Sequence, residues 1–221
     1  MFYITLVISI WTCIIFASQT LASVDLTNTA FLFCDLENDV LAAVPNDAFG
    51  HQFFSSLQQL WNVAHGGSNK NVLSISTAVR FRKGYPDISS NNKALAGLKA
   101  SGGNVLVEGT HGADFNSSFT PTKKDIVIVK RRADATYNTD LLTILDANNI
   151  NHIILAGFST SGVILSTTRS ASDRDYKITI VRDACADANQ TTHNFLMNEI
   201  FPQQANVVYV KDIAATLKKH R

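Results

Sequence analysis

The chain has 221 residues, 46% of them hydrophobic and 17% charged, enough for one domain with a sizeable core and short for two. Nineteen Lys and Arg against eighteen Asp and Glu leave a formal net charge of +1, so no electrostatic argument points to nucleic acid or an acidic partner. Three cysteines exclude a dense disulfide scaffold, and eleven glycines with four prolines exclude a disordered or collagen-like chain.

The first 23 residues, MFYITLVISIWTCIIFASQTLAS, carry no charged side chain. An apolar run from Phe2 to about Ala17 is followed by small residues, the pattern of a secretory signal peptide cleaved near Ser23. The expected organisation is a signal peptide at 1–22, one domain at 23–221, and a secreted mature protein. The n-region lacks Lys and Arg, and 2–21 is long enough to span a bilayer, so an N-terminal membrane anchor is the alternative. After export, Asn116-Ser-Ser118 and Asn189-Gln-Thr191 become acceptor tripeptides for N-glycosylation. Cys13 leaves with the signal; Cys34 and Cys185 then either pair or remain two buried thiols.

From residue 30 the chain alternates strand and helix. The apolar run 30–34, ending at Asp35, predicts a buried strand. Phe49, Phe53, Leu57, Leu60 and Val63 recur at helical spacing over 45–64, and Gly66-Gly67 ends that helix. Further strands are predicted at 71–76, 125–130, 152–156, 177–181 and 206–210, with helices at 89–99, 139–148, 160–172 and 191–200. The β-branched runs have no polar face. The expected fold is therefore α/β, three layers, with a six-stranded, mainly parallel sheet covered by helices on both sides.

In such sheets the ligand lies beyond the carboxyl ends of the strands. Asp35, Lys130 and Asp183 are expected to end strands on that edge, joined by 76–80 and the turn 157–162. The chemical reading is a carboxylate paired with a buried ammonium and ready for proton transfer; the alternative is strand-end solvation with a salt bridge. Arg80, Arg82 and Lys83, with Tyr85 near them, offer a clamp for a substrate carboxylate, or a solvated basic loop. His51, His65, His111 and His152 are scattered without metal-ligand spacing, so neither a metal nor another cofactor is expected.

Four segments in order carry a family resemblance: Phe31-Leu-Phe-Cys-Asp-Leu-Glu-Asn-Asp39, Ile128-Val-Lys-Arg-Arg-Ala-Asp-Ala135, Leu155-Ala-Gly-Phe-Ser-Thr-Ser-Gly-Val-Ile-Leu-Ser-Thr167, and Val181-Arg-Asp-Ala-Cys-Ala-Asp187 followed by His193. Together they resemble the isochorismatase-like, or cysteine hydrolase, superfamily over nearly the whole mature chain. The resemblance implies a three-layer αβα fold, a catalytic Asp at Asp35, a catalytic Lys at Lys130, an elbow opening at Gly157 whose amides make an oxyanion hole, and frequent homo-oligomers. It implies a small-molecule substrate and no metal, because the stretch 76–86 lacks the His ligands of the nicotinamidase branch.

One departure governs the functional reading. Amidase members of that family carry Cys six residues after the elbow glycine, and that place here is Val163, which has no nucleophilic atom. Ser159 and Ser161 come four and two residues earlier; they, Thr160 and Gly162 are expected to cap the helix or bind ligand. Cys185 ends a different strand, and His193 is expected to pack a helix. A branch of the family without the cysteine works by general acid chemistry, for which Asp35 suffices. Two classes stay open: a secreted hydrolase using Asp35 on a small anionic or carbonyl substrate, and a pseudoenzyme that kept the pocket for binding.

Overall fold

The computed structural model describes residues 28–66 and 72–219. The segment expected to be a signal peptide lies outside them. No helix among the described residues is long and apolar enough to cross a membrane.

Six strands form one sheet: β1 (Thr29–Cys34), β2 (Leu73–Val79), β3 (Ile126–Lys130), β4 (His152–Phe158), β5 (Lys177–Ala186) and β6 (Asn206–Val208). Their order is β3-β2-β1-β4-β5-β6, and every neighbouring pair is parallel. Strand β1 is buried along its whole length, as expected of an apolar run with no polar face near the middle of a covered sheet. On edge strand β3, Ile128 and Lys130 are buried while Val127 and Val129 are exposed, the alternation of a strand covered on one side.

The helices are α1 (Asn38–Leu41), α2 (Ala48–His65), α3 (Lys93–Ala100), α4 (Leu141–Ala147), α5 (Leu165–Ser172), α6 (Gln190–Phe195) and α7 (Val210–Lys219). Helix α2 is opened by the Asp47 carboxylate, which accepts from the Gly50 amide, and it buries Phe53, Leu57, Leu60, Trp61 and Ala64. These join Phe31 and Phe33 of β1 and Val210 and Ile213 of α7 in one core layer. Ala30, Leu32 and Cys34, the alternate residues of β1, face the other layer, with Leu141 and Leu145 of α4, Ala171 of α5, and Leu196 and Met197. A third, smaller cluster of Phe81, Tyr85, Ile88, Leu106 and Val107 lies in the long excursion between β2 and β3.

Several boundaries differ from the sequence expectation. Strand β2 runs to Val79, so Thr77 and Ala78 belong to the sheet. The helix expected at 89–99 starts at Lys93, where Asn92 caps it by accepting from the Leu95 amide. The helices expected at 160–172 and 191–200 each contain a π-helical turn, Thr160–Ile164 and Leu196–Ile200. Helix α7 was not expected at all. It buries Val210, Ile213 and Thr216, and only its docking on the sheet makes a helix of so short an apolar stripe.

Strand β5 reaches Ala186, which corrects the placement of Asp183. Asp183 lies inside the strand and accepts hydrogen bonds from Ser56 Oγ at 3.2 Å and the Val210 amide at 3.0 Å. It ties α2 and α7 to the sheet and does not join Asp35.

Candidate active site

Asp35 follows β1 and takes a left-handed backbone conformation, with φ of 57°. Strict strand alternation would send its side chain to the same side as Phe33. The left-handed residue breaks that alternation, and Asp is one of the few side chains that tolerate it. The carboxylate turns instead to Thr77, whose Oγ1 donates to Oδ1 at 2.7 Å. Its Oδ2 lies 2.6 Å from Lys130 Nζ, at the end of β3. The two residues are 5% and 1% exposed, so the pair is a buried ion pair. Lys130 Nζ also donates to the Arg132 carbonyl at 2.9 Å, which fixes the ammonium from a second side.

This pair forms part of the wall of a cavity of about 290 Å³. The rest comes from Val79, Phe81, Leu95 and Leu106 on one side and Phe158, Ser159, Gly162 and Val163 on the other, with Asn92 and Arg132 among its polar groups. The cavity opens where strand ends meet the excursion between β2 and β3, as the topology of a parallel sheet dictates. A larger groove of about 450 Å³, between Leu142, Asp146 and Tyr176, shares no residue with it.

The elbow is shaped by two glycines. Gly157 has φ of 131°, and a Cβ there would lie 2.1 Å from the Cys34 carbonyl oxygen. A Cβ on Gly162 would lie 2.6 Å from Ser159 Oγ, so only glycine lets that hydroxyl sit over the turn. The Ser161 amide and hydroxyl both donate to Asp187 Oδ2, at 2.8 and 2.6 Å. The amides of Gly162 and Ile164 donate to the Ser159 carbonyl, each at 3.2 Å. Three of the elbow amides expected to receive an oxyanion are therefore engaged within the protein.

Of the residues singled out from sequence, Asp35, Lys130, Ser159, Gly162 and Val163 meet around the cavity. Thr160 and Ser161 point away from it. Thr160 is fully buried and donates to the Ala186 carbonyl at 2.9 Å, so its Oγ1 accepts from His193 Nδ1 at 2.8 Å. Burial and the Arg182 charge push the His193 imidazole down to about 4, which keeps it neutral and in its helix-packing role.

Arg80 and Arg82 are not part of the cavity wall. Arg80 Nε donates to the Ala113 carbonyl and its guanidinium sits over the Phe115 ring, while Arg82 is an exposed partner of Asp87. Tyr85 is core, donating to the Val105 carbonyl. The two tripeptide asparagines serve as helix caps: Asn116 accepts from Ser118 and Asn189 from Thr192.

Cys34 and Cys185 are free and buried. Both pair in register with Gly157, one from each side, which places them two strand spacings apart, about 9.5 Å. That exceeds the roughly 7 Å limit between α-carbons for a disulfide. Burial raises both thiols above the ordinary range, so neither is poised as a thiolate.

Sequence reasoning gave no role to two residues that the fold brings forward. Arg132 forms part of the cavity wall in place of Arg80 and Arg82. Glu37 is fully buried, and neither carboxyl oxygen has a side-chain hydrogen-bond partner among the described residues. Burial, then the Asp35 charge, raises its carboxyl well above the usual carboxylate range, beside the ion pair. Position two after Asp35 was the only sequence signal for it.

Comparison with known proteins follows the same lines. The "Isochorismatase domain" family model matches residues 29–212. The "Uncharacterized isochorismatase family protein YecD" of Escherichia coli O157:H7 is 38% identical over 96 residues, 43% of this chain and 51% of that protein. Maleamate amidohydrolase of Pseudomonas putida is 28% identical over 113 residues, 51% of this chain and 53% of the relative. The chain thus spans about half the length of these curated relatives. A "Probable inactive nicotinamidase" of Arabidopsis thaliana is 24% identical over 190 residues, 84% of this chain and 89% of the relative. The crystal structure of a cysteine hydrolase from Pseudomonas syringae pv. phaseolicola superposes with a TM-score of 0.76 at 16% identity, covering 90% of this chain and 97% of that one, which shows the shared fold. With the family model matched over nearly all the described residues and the sheet built in the same way, the chain belongs to the isochorismatase family.

Proposed function

We propose that this protein is a hydrolase of a small, anionic or carbonyl-containing metabolite, with Asp35 as general acid and base and no cysteine nucleophile. The observation that carries this reading is the buried Asp35–Lys130 pair, 2.6 Å apart, in the wall of a cavity that Val163 also lines. Asp35 takes a proton from water as the hydroxyl adds to the electrophilic carbon. The same proton then leaves with the departing group, so water is added across one bond and the carboxylate is regenerated. Lys130 positions the carboxylate, and Ser159 offers a hydroxyl to the substrate. Relatives named as maleamate and ureidoacrylate amidohydrolases support a small-metabolite substrate.

The test is turnover of a panel of small amides, esters and enol ethers by the wild type and Asp35→Asn. The variant should lose about 10²- to 10⁴-fold in rate on any substrate found, the usual worth of a general acid or base. Turnover at the wild-type rate removes Asp35 from the mechanism. A second reading, a non-catalytic binder that kept the pocket, is favoured by Val163 and by the plant relative named as inactive. It takes over if ligands bind and no substrate of the panel turns over.

We also propose that the protein is secreted with a mature N-terminus near Ser23, the alternative being an anchored chain, and that it self-associates. N-terminal sequencing of the native protein decides the first point. A soluble cytosolic chain still starting at Met1 would contradict it.

A further inference from the structure

Of the two cations in the cavity wall, Lys130 and Arg132, only Lys130 has a carboxylate partner among the described residues. Lys130 is matched by Asp35, Arg82 by Asp87, and Arg131 by Glu108 and Asp87. Arg132, in the cavity wall, has no carboxylate partner among the described residues. Its guanidinium is nevertheless held in place. Nη1 donates to the Arg131 carbonyl at 2.6 Å and Nη2 to the Asp87 carbonyl at 3.0 Å. Two of its five N–H groups are used, so three donors remain on a fork already fixed by backbone. The same cavity is lined by the apolar Val79, Phe81, Leu95 and Leu106, with Asn92 and Ser159 as its uncharged polar residues. A fixed, unmatched guanidinium among apolar residues is most stable when a ligand supplies the opposite charge.

We infer that Arg132 is the specificity-determining residue for a short monocarboxylate, holding its carboxylate while the reacting carbon faces Asp35. This rests on the reading of the cavity as the reaction site. One unmatched positive charge balances one negative charge, so a carboxylate fits better than a phosphate dianion. A cavity of about 290 Å³ lies at the small end of ligand sites and limits the molecule to a few carbons between its two ends. The inference moves carboxylate recognition from Arg80 and Arg82, which the fold commits elsewhere, to Arg132.

The experiment is calorimetric titration of the wild type, Arg132→Gln, Arg132→Lys and Asp35→Asn with succinamate and with its uncharged counterpart succinamide. Wild type should bind succinamate about 10- to 100-fold more tightly than succinamide, the worth of charge-assisted hydrogen bonds. Arg132→Gln should lose that preference while keeping its circular dichroism spectrum, and Arg132→Lys should keep part of it. The lysine variant carries the test if the glutamine variant does not fold. Asp35→Asn frees the Lys130 ammonium in the same wall and should keep or strengthen the preference. Calorimetry reads binding without turnover, so a failure of the proposed catalysis leaves this result intact, and the reverse also holds. Equal binding of the two probes by the wild type, no binding of succinamate, an unchanged preference in Arg132→Gln, or competition by inorganic phosphate as strong as by succinamate each overturns the inference.

Discussion

Removing one member of the Asp35–Lys130 pair should cost much more than removing both. The two charged atoms are 2.6 Å apart, and the residues are 5% and 1% exposed. Breaking a buried pair by deleting one partner leaves an uncompensated charge, at about 3–5 kcal/mol, whereas replacing both partners is often close to neutral. Against a total stability of roughly 5–15 kcal/mol, that is a large fraction. Lys130→Met keeps most of the side-chain volume and strands the Asp35 carboxylate, with only the Thr77 hydroxyl left on Oδ1. With a urea slope of about 2 kcal/mol/M, its midpoint should fall by about 1.5–2.5 M. Asp35→Asn should fall by a similar amount, because Lys130 keeps only the Arg132 carbonyl. The double variant should lose less than either single variant, a recovery of more than about 3–5 kcal/mol relative to the sum of the two losses. Urea unfolding followed by fluorescence and circular dichroism measures all four proteins. Single variants within about 1 kcal/mol of wild type, or strictly additive losses, would refute the reasoning, since a solvated pair behaves that way.

Glu37→Gln should be more stable than wild type at alkaline pH and equal to it near pH 4. The folded state holds the Glu37 proton well above the pH at which an unfolded glutamate, with a pKa of about 4.3, gives it up. Unfolding then releases a proton, so wild-type stability falls by about 1.4 kcal/mol per pH unit from there until the folded carboxyl itself ionises. Parallel stability curves for the two proteins would show that Glu37 is ionised in the fold. Iodoacetamide should leave Cys34 and Cys185 unmodified in the native protein and alkylate both in denaturant, as mass spectrometry reads directly. Rapid native labelling of either would contradict their burial. Val163→Cys places a thiol in the wall of the cavity that Asp35 and Lys130 also line, and should make the folded protein reactive to iodoacetamide at that position alone. A variant as inert as wild type would mean that position 163 is closed to the cavity.

Much of the site was legible in the chain because parallel sheets are regular. Apolar runs ending in Asp35 and Lys130 place both residues at the carboxyl ends of strands, where the fold brings them to 2.6 Å. Counting from Gly157 pointed to Val163, and the fold places Val163 in the wall of the cavity. The arginines were not readable. Arg80, Arg82, Arg131 and Arg132 all stand just after strands, and spacing alone gives them equal claims on a ligand carboxylate. Their fates depend on Asp87, Glu108, Ala113 and Phe115, contributed by the excursion between β2 and β3. That excursion has little periodic pattern, so its fold comes from contacts distant in sequence.

The sequence by itself determined the layer architecture and put Asp35 and Lys130 at the carboxyl ends of strands, because burial periodicity and strand polarity are local properties written residue by residue. Tertiary structure decided the rest. It turned Asp35 toward Thr77 and Lys130 through one left-handed residue. It continued β5 past Asp183 and gave that carboxylate to α2 and α7. It buried Glu37 beside the pair, raising its carboxyl, and left Arg132 without a carboxylate partner among the described residues. Each of these depends on which opposite charge or hydrogen-bond donor arrives from a distant segment. In a low-dielectric interior that arrival sets the state of a polar group more strongly than its own chemistry does.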